Sequence, residues 1–192
     1  MGGNITVVGI AGSLRKGSFN KMLLDAASEL MPEGAVLGKL GLSGIPAFNQ
    51  DLENDAPGEV RKLKAEIKSA DAVLICTPEY NYSVPGVLKN AMDWASRPHS
   101  DNSFSKKPVG IMSASPGMLG GARAQYHLRQ ILLGIGSLPM QKPEVFVPSA
   151  DKKFSPEGKL NDLETERHVR EFLASFVNWS RATKLASGAG LL

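Results

Sequence analysis

Ile5-Thr6-Val7-Val8-Gly9-Ile10-Ala11-Gly12-Ser13-Leu14-Arg15-Lys16-Gly17-Ser18-Phe19-Asn20 is the stretch from which the fold is read. An apolar β-branched run empties into a glycine- and hydroxyl-rich turn, and a helical pattern begins near Asn20. Such a turn is an anion site, because free main-chain N–H groups and the positive end of the helix dipole both point at it. Ser13, Ser18 and Asn20 add neutral donors, and Arg15 adds a planar cation suited to phosphate oxygens. Two phosphate motifs are excluded. The glycine spacing from Gly12 to Gly17 is that of a P-loop, but Ser18-Phe19 stand where Lys-Ser/Thr should follow. The dinucleotide fingerprint G-x-G-x-x-G fails at Ala11 and Leu14. What remains is S-x-R-x-x-S-x-N, a donor-rich turn fit for a phosphate monoester.

The 192 residues are enough for one domain with a proper core. We expect residues 1–184 to form it and residues 185–192 to be a frayed tail. The balance is mildly basic, 22 Lys+Arg against 19 Asp+Glu, and the charges are scattered rather than striped. Nucleic-acid binding is therefore not indicated. The single cysteine, Cys76, ends an apolar strand pattern; it rules out a disulfide framework and fits a reducing, cytoplasmic setting. No segment has the apolar length of a membrane span, and the N-terminus lacks signal-peptide regions. Met1-Gly2 with Thr6 matches a myristoylation pattern, which is set aside because Ile5 already begins a strand and no basic cluster follows.

Outward from the first turn, strand and helix patterns alternate. Strands are expected over residues 4–10, 36–40, 72–76, 108–113 and 144–147. Helices are expected over 20–31, 58–69, 84–95 and 120–136, with a last one carrying Val169, Phe172, Leu173 and Phe176 on one face. The unbroken Ala72-Val73-Leu74-Ile75-Cys76 marks a central strand buried on both faces. This is the content of a flavodoxin-like α/β fold: a five-stranded parallel sheet, order 2-1-3-4-5, with helices on both faces. In that order the loops after strands 1, 3 and 4 lie side by side, and they are the three most unusual loops in the chain.

After strand 3 comes Thr77-Pro78-Glu79-Tyr80-Asn81-Tyr82-Ser83-Val84-Pro85-Gly86, a stiff loop with flat apolar surfaces and free main-chain groups. After strand 4 comes Ser113-Ala114-Ser115-Pro116-Gly117-Met118-Leu119-Gly120-Gly121-Ala122-Arg123, whose glycines let backbone approach a ligand. A phosphate at the first loop and a planar heterocycle between the other two describe FMN. No paired carboxylates and no Ser-His-Asp or Cys-His signature stand in these loops, and His99, His127 and His168 lack metal-ligand spacing. No metal is expected. A flavin enzyme needs no dedicated acid or base, since the cofactor carries the chemistry.

These three loops, with Val87-Leu88-Lys89-Asn90-Ala91-Met92-Asp93-Trp94 continuing the second, resemble the NADPH-dependent FMN reductase family, especially its bacterial chromate/quinone reductase branch. The resemblance runs to about residue 180. It implies that Ser13, Arg15, Ser18, Phe19 and Asn20 grip the FMN phosphate. It implies that Pro78, Glu79, Tyr80 and Asn81 line the isoalloxazine, and that Ser115, Gly117, Gly120 and Gly121 close over its pyrimidine end. NADPH or NADH then supplies hydride in a ping-pong cycle, and quinones, free flavins or metal oxyanions such as chromate are the acceptors. Main-chain donors from Pro116 to Gly121 are placed to stabilise the reduced ring, and Glu79 is a weak catalytic candidate. The family also forms homodimers and homotetramers through the helices after strands 3 and 4, so Arg123, Tyr126 and Glu144 are candidates for a polar subunit contact.

Two other classes compete. A flavin-binding electron carrier or redox sensor would not turn over nicotinamide, but flavodoxin-type carriers are acidic and this chain is basic. A phosphate-binding regulatory domain would need an acidic cluster at the end of strand 1, where Ala11-Gly12-Ser13 stands instead.

Overall fold

A computed structural model describes residues 4–192, so the Met1-Gly2 match lies outside the described residues. The elements run β1 (Ile5–Ala11), α1 (Phe19–Glu29), β2 (Ala35–Leu40), α2 (Gly58–Ser69), β3 (Ala72–Cys76), α3 (Gly86–Ala95), β4 (Pro108–Ala114), α4 (Ala122–Gly134), β5 (Leu138–Pro139), β6 (Val145–Val147) and α5 (Leu163–Gly188). The ladders are parallel and ordered β2-β1-β3-β4-β5, with β6 also on β4. β4 is shared along its length: Pro108 and Val109 pair with β5, and Met112 to Ala114 pair with β6. The expected fifth strand is β6. The two-residue β5 is additional, and it is too short to show a period in sequence.

Helices cover both faces of the sheet, and β3 shows how one strand feeds both. Ala72, Leu74 and Cys76 join the core under α1 and α5, while Val73 and Ile75 join the core under α2, α3 and α4. All five β3 residues are buried, as their unbroken apolar run implies. In β4, a Cβ on Gly110 would stand 3.0 Å from Phe176 and 3.1 Å from Phe172, so this glycine lets α5 lie close to the sheet. α5 itself continues to Gly188. Residues 185–188 of the expected tail are therefore helical, because the good helix formers Arg181, Ala182, Lys184, Leu185 and Ala186 carry the helix on. Among the described residues no helix is long and apolar enough to cross a membrane.

The end of the sheet opposite the three loops is closed by Asp71. Its carboxylate accepts from the Thr6 N–H at 2.9 Å and the Thr6 hydroxyl at 3.0 Å, and Lys184 approaches to 2.7 Å. Burial raises the Asp71 pKa, but the Lys184 and Thr6 contacts outweigh it and hold the group below its ordinary value of 3.8. A depressed folded pKa stabilises fully above the ordinary value, and that contribution is lost as pH falls through the folded value. Asp71→Asn should accordingly flatten the loss of stability below about pH 4, read from urea midpoints at a series of pH values. An unchanged acid limb would contradict this role.

Candidate functional site

The rim at the carboxyl ends of β1, β3 and β4 brings the three loops together. Gly12 N–H donates to Cys76 O at 2.8 Å, and Thr77 N–H donates to Met112 O at 3.0 Å. Higher on the rim, the Ser13 and Tyr80 hydroxyls meet at 3.3 Å across 67 residues of sequence. The first turn and the Pro78–Asn81 loop are therefore neighbours on one rim.

The first turn is built to receive an anion. Ser18 is the N-cap of α1, its hydroxyl accepting from Asn20 N–H at 3.3 Å, and no acidic residue lies in the first helical turn. Among the described residues, the main-chain N–H groups of Lys16, Gly17 and Phe19 are unpaired. Arg15 is exposed above the turn, with its guanidinium 5.6 Å from the Phe19 ring centroid. That donor set fits a phosphate group. Phe19 and Asn20 stand differently from Ser13, Arg15 and Ser18. The Phe19 ring packs between Phe154 below and the Arg15 guanidinium of the turn, and its N–H faces the turn. The Asn20 amide is 2% exposed and forms a two-point pair with Ala114, donating to its carbonyl at 2.8 Å and accepting its N–H at 2.9 Å. It fastens α1 to the end of β4.

In the second loop, Pro78 is buried and Tyr80, Asn81 and Tyr82 are exposed. Tyr80 to Ser83 closes a two-residue turn with Asn81 at φ 49° and Tyr82 at φ 68°. Glu79 is turned to the start of α4. One of its oxygens accepts from the Arg123 and Ala124 N–H groups at 3.1 and 3.3 Å, and the other accepts from Arg123 Nε at 2.6 Å. Three donors occupy the carboxylate, which is no arrangement for a general acid or base.

The third loop carries fewer free donors than its composition suggests. Gly117 N–H donates to Ser115 Oγ, Gly120 N–H to Gly117 O and Ala122 N–H to Leu119 O, while the Arg123 and Ala124 N–H groups belong to Glu79. Met118, Leu119 and Gly121 keep unpaired N–H groups among the described residues, and Met118 is 92% exposed. The side-chain positions of Gly120 and Gly121 are closed by protein: a Cβ on the first would meet the Val147 and Pro148 main chain at 2.9 Å, and one on the second Ser113 at 2.8 Å. Beneath them the buried Gln125 donates to Ser113 Oγ and Val145 O, and Ser113 donates to Gly120 O. Sequence reading gave no role to Gln125 or His127, and offered Tyr82 only as one of the flat surfaces of its loop. The spacing of Arg123 and His127, one turn apart on α4, was the available signal. The expected trio of Arg123, Tyr126 and Glu144 is divided within the chain, since Arg123 pairs with Glu79 while Glu144 pairs with Arg129 and Lys142. Cys76 is fully buried, and burial, with a lesser effect of Asp25, pushes its thiol pKa far up, so it is no nucleophile.

The model of the NADPH-dependent FMN reductase family matches residues 5–152. An NAD(P)H-dependent FMN reductase of Pseudomonas aeruginosa is 45% identical over 182 residues, 94% of this chain and 98% of that protein. A quinone reductase of Pseudomonas putida is 40% identical over 180 residues, 93% and 96% of the two chains. Among solved structures, FerB of Paracoccus denitrificans, a flavoenzyme NAD(P)H:(acceptor) oxidoreductase, superposes with a TM-score of 0.86 at 38% identity, over 93% of this chain and 98% of its own. With three such loops meeting on one rim of this sheet order, and with this kinship along nearly the whole chain, the protein belongs to the NADPH-dependent FMN reductase family.

Proposed function

We propose that the chain binds FMN in the crevice between its three loops and uses it to reduce quinones at the expense of NAD(P)H. The observation that carries this reading is the meeting of Ser13 and Tyr80, which joins a phosphate-type turn to a loop with flat aromatic surfaces. FMN held there would supply the redox chemistry, hydride acceptance and electron return. The chain's part is to bind and orient. Ser13 and Ser18 hydroxyls and the N–H groups of Lys16, Gly17 and Phe19 hold the phosphate against the α1 dipole, and Arg15 closes over it. Pro78, Tyr80 and Asn81 flank the ring, and the Met118, Leu119 and Gly121 N–H groups are the donors left to face its pyrimidine edge.

The proposal extends to free flavins and metal oxyanions such as chromate as further acceptors, and to a cytoplasmic homodimer or homotetramer. The mildly basic chain favours anionic acceptors. A concavity of about 950 Å³ lined by Tyr126, Leu133, Pro139, Met140 and Trp179 supports association.

Purified protein should be yellow, oxidise NADPH when a quinone is present, and give parallel double-reciprocal lines. Colourless protein that takes up no added FMN would refute the reading. Arg15→Ala should raise the FMN Kd by about 10–100-fold, the worth of one charge-assisted contact, without unfolding the chain. Equal affinity in a flavin fluorescence titration would remove Arg15 from the site.

A further inference from the structure

Helix α4 begins without a cap of its own. Gly121 stands at the cap position in a left-handed conformation, and the first turn holds no acidic residue. The missing acceptor arrives from 44 residues upstream, where the Glu79 side chain, only 10% exposed, receives the Arg123 and Ala124 N–H groups and Arg123 Nε. Two further ties join the same helix to the loop that Glu79 leads into. The Arg123 guanidinium lies 3.6 Å from the Tyr82 ring centroid, and His127 Nδ1 lies 3.0 Å from Ser83 Oγ.

What these ties hold is a turn closed by two main-chain hydrogen bonds, Tyr80 N–H to Ser83 O and Ser83 N–H to Tyr80 O at 3.0 Å each, but strained at its second central residue. A two-residue turn with both central residues at positive φ favours Asn-Gly, and here the second position is Tyr82 at φ 68°. On its other side the same turn sets Tyr80 against Ser13.

We propose that Glu79 is the positioning residue of the site: through Arg123 and the start of α4 it fixes the Tyr80–Ser83 turn, and so the height of Tyr80 over the first turn. The inference rests on FMN occupying the crevice. The role calls for a carboxylate, because Glu79 accepts from three N–H donors. Glutamine has the same shape but one acceptor oxygen, and its NH₂ would face the N–H groups it should receive.

The test compares wild type, Glu79→Gln and Arg123→Gln as apoproteins titrated with FMN, followed by visible circular dichroism of the bound flavin and by thermal melts of the apoproteins. Arg123→Gln leaves the main-chain cap in place and removes only the side-chain ties. We expect Glu79→Gln to raise the FMN Kd about tenfold and to change the visible dichroism, which reports the ring's surroundings, with a smaller change of the same kind in Arg123→Gln. A variant that keeps wild-type affinity and dichroism overturns the proposal, even where its melting point has fallen. If Glu79→Gln does not fold, Arg123→Gln decides alone by the same criterion. Wild-type protein that fails to take up FMN would instead defeat the FMN reading itself.

Discussion

Gly120→Ala should lower the stability of the apoprotein by about 2–5 kcal/mol, before any ligand is considered. Gly120 has φ +58°, where an added Cβ costs about 1–2 kcal/mol. That Cβ would also stand 2.9 Å from Val147 N and Pro148 N and 3.0 Å from Phe146 C. All three are main-chain atoms of β6 or its exit, so relief requires the strand to shift, at a further cost of about 1–3 kcal/mol. The Ser113 hydroxyl, which donates to Gly120 O and accepts from Gln125, would move with it. For a chain of this size the expected fall in Tm is about 10 °C. Gly117→Ala is the internal control: it is exposed, and its Cβ would meet only Ser115 Oγ at 3.4 Å, so its stability should change by less than about 0.5 kcal/mol. Equal melting points for the two variants would mean that Gly120 serves the ligand rather than the fold.

The fold was legible because its signals are local. The apolar run Ala72–Cys76, the helical period of Leu88, Ala91, Met92 and Ala95, and the order of the elements are properties of short windows, and topology rules then place three loops on one rim. The assignment of donors within that rim was not legible. Composition shows that Ser13, Ser18, Asn20 and Glu79 can hydrogen-bond, but it does not show which way a side chain points or which partner from a distant element reaches it first. Asn20 and Glu79 are both engaged across the fold, by Ala114 and by Arg123 and Ala124. The same holds for Gly120, whose lack of a side chain reads equally as ligand access or as strand packing until β6 is placed beside it. β5 escaped because two residues, one of them proline, carry no alternation.

Asn20→Ala should likewise act on the fold first, lowering stability by about 2–4 kcal/mol, although the residue lies in the phosphate turn. The ladder between β3 and β4 ends with Cys76 opposite Met112, and Thr77 N–H takes the Met112 carbonyl. Two residues further on, Ala114 presents its N–H and C=O on that same side, where β3 has no residue left to receive them. The Asn20 amide stands there, with one donor and one acceptor at 2.8 and 2.9 Å, and continues the sheet by one rung. Truncation leaves both groups buried and unpaired, each at about 1–3 kcal/mol, offset in part by water entering the gap. Asn20→Asp sharpens the test, because an ionised carboxylate still accepts the Ala114 N–H but turns its second oxygen toward the Ala114 carbonyl. Burial and that carbonyl should raise the aspartate's folded pKa above its unfolded value, so this variant should be most stable below about pH 4 and lose stability as pH rises through the folded pKa. Urea melts of the apoproteins from pH 4 to 8 read both effects at once. Wild-type midpoints in both variants, with only FMN affinity reduced, would return Asn20 to the phosphate and leave the end of β4 held by β6 alone.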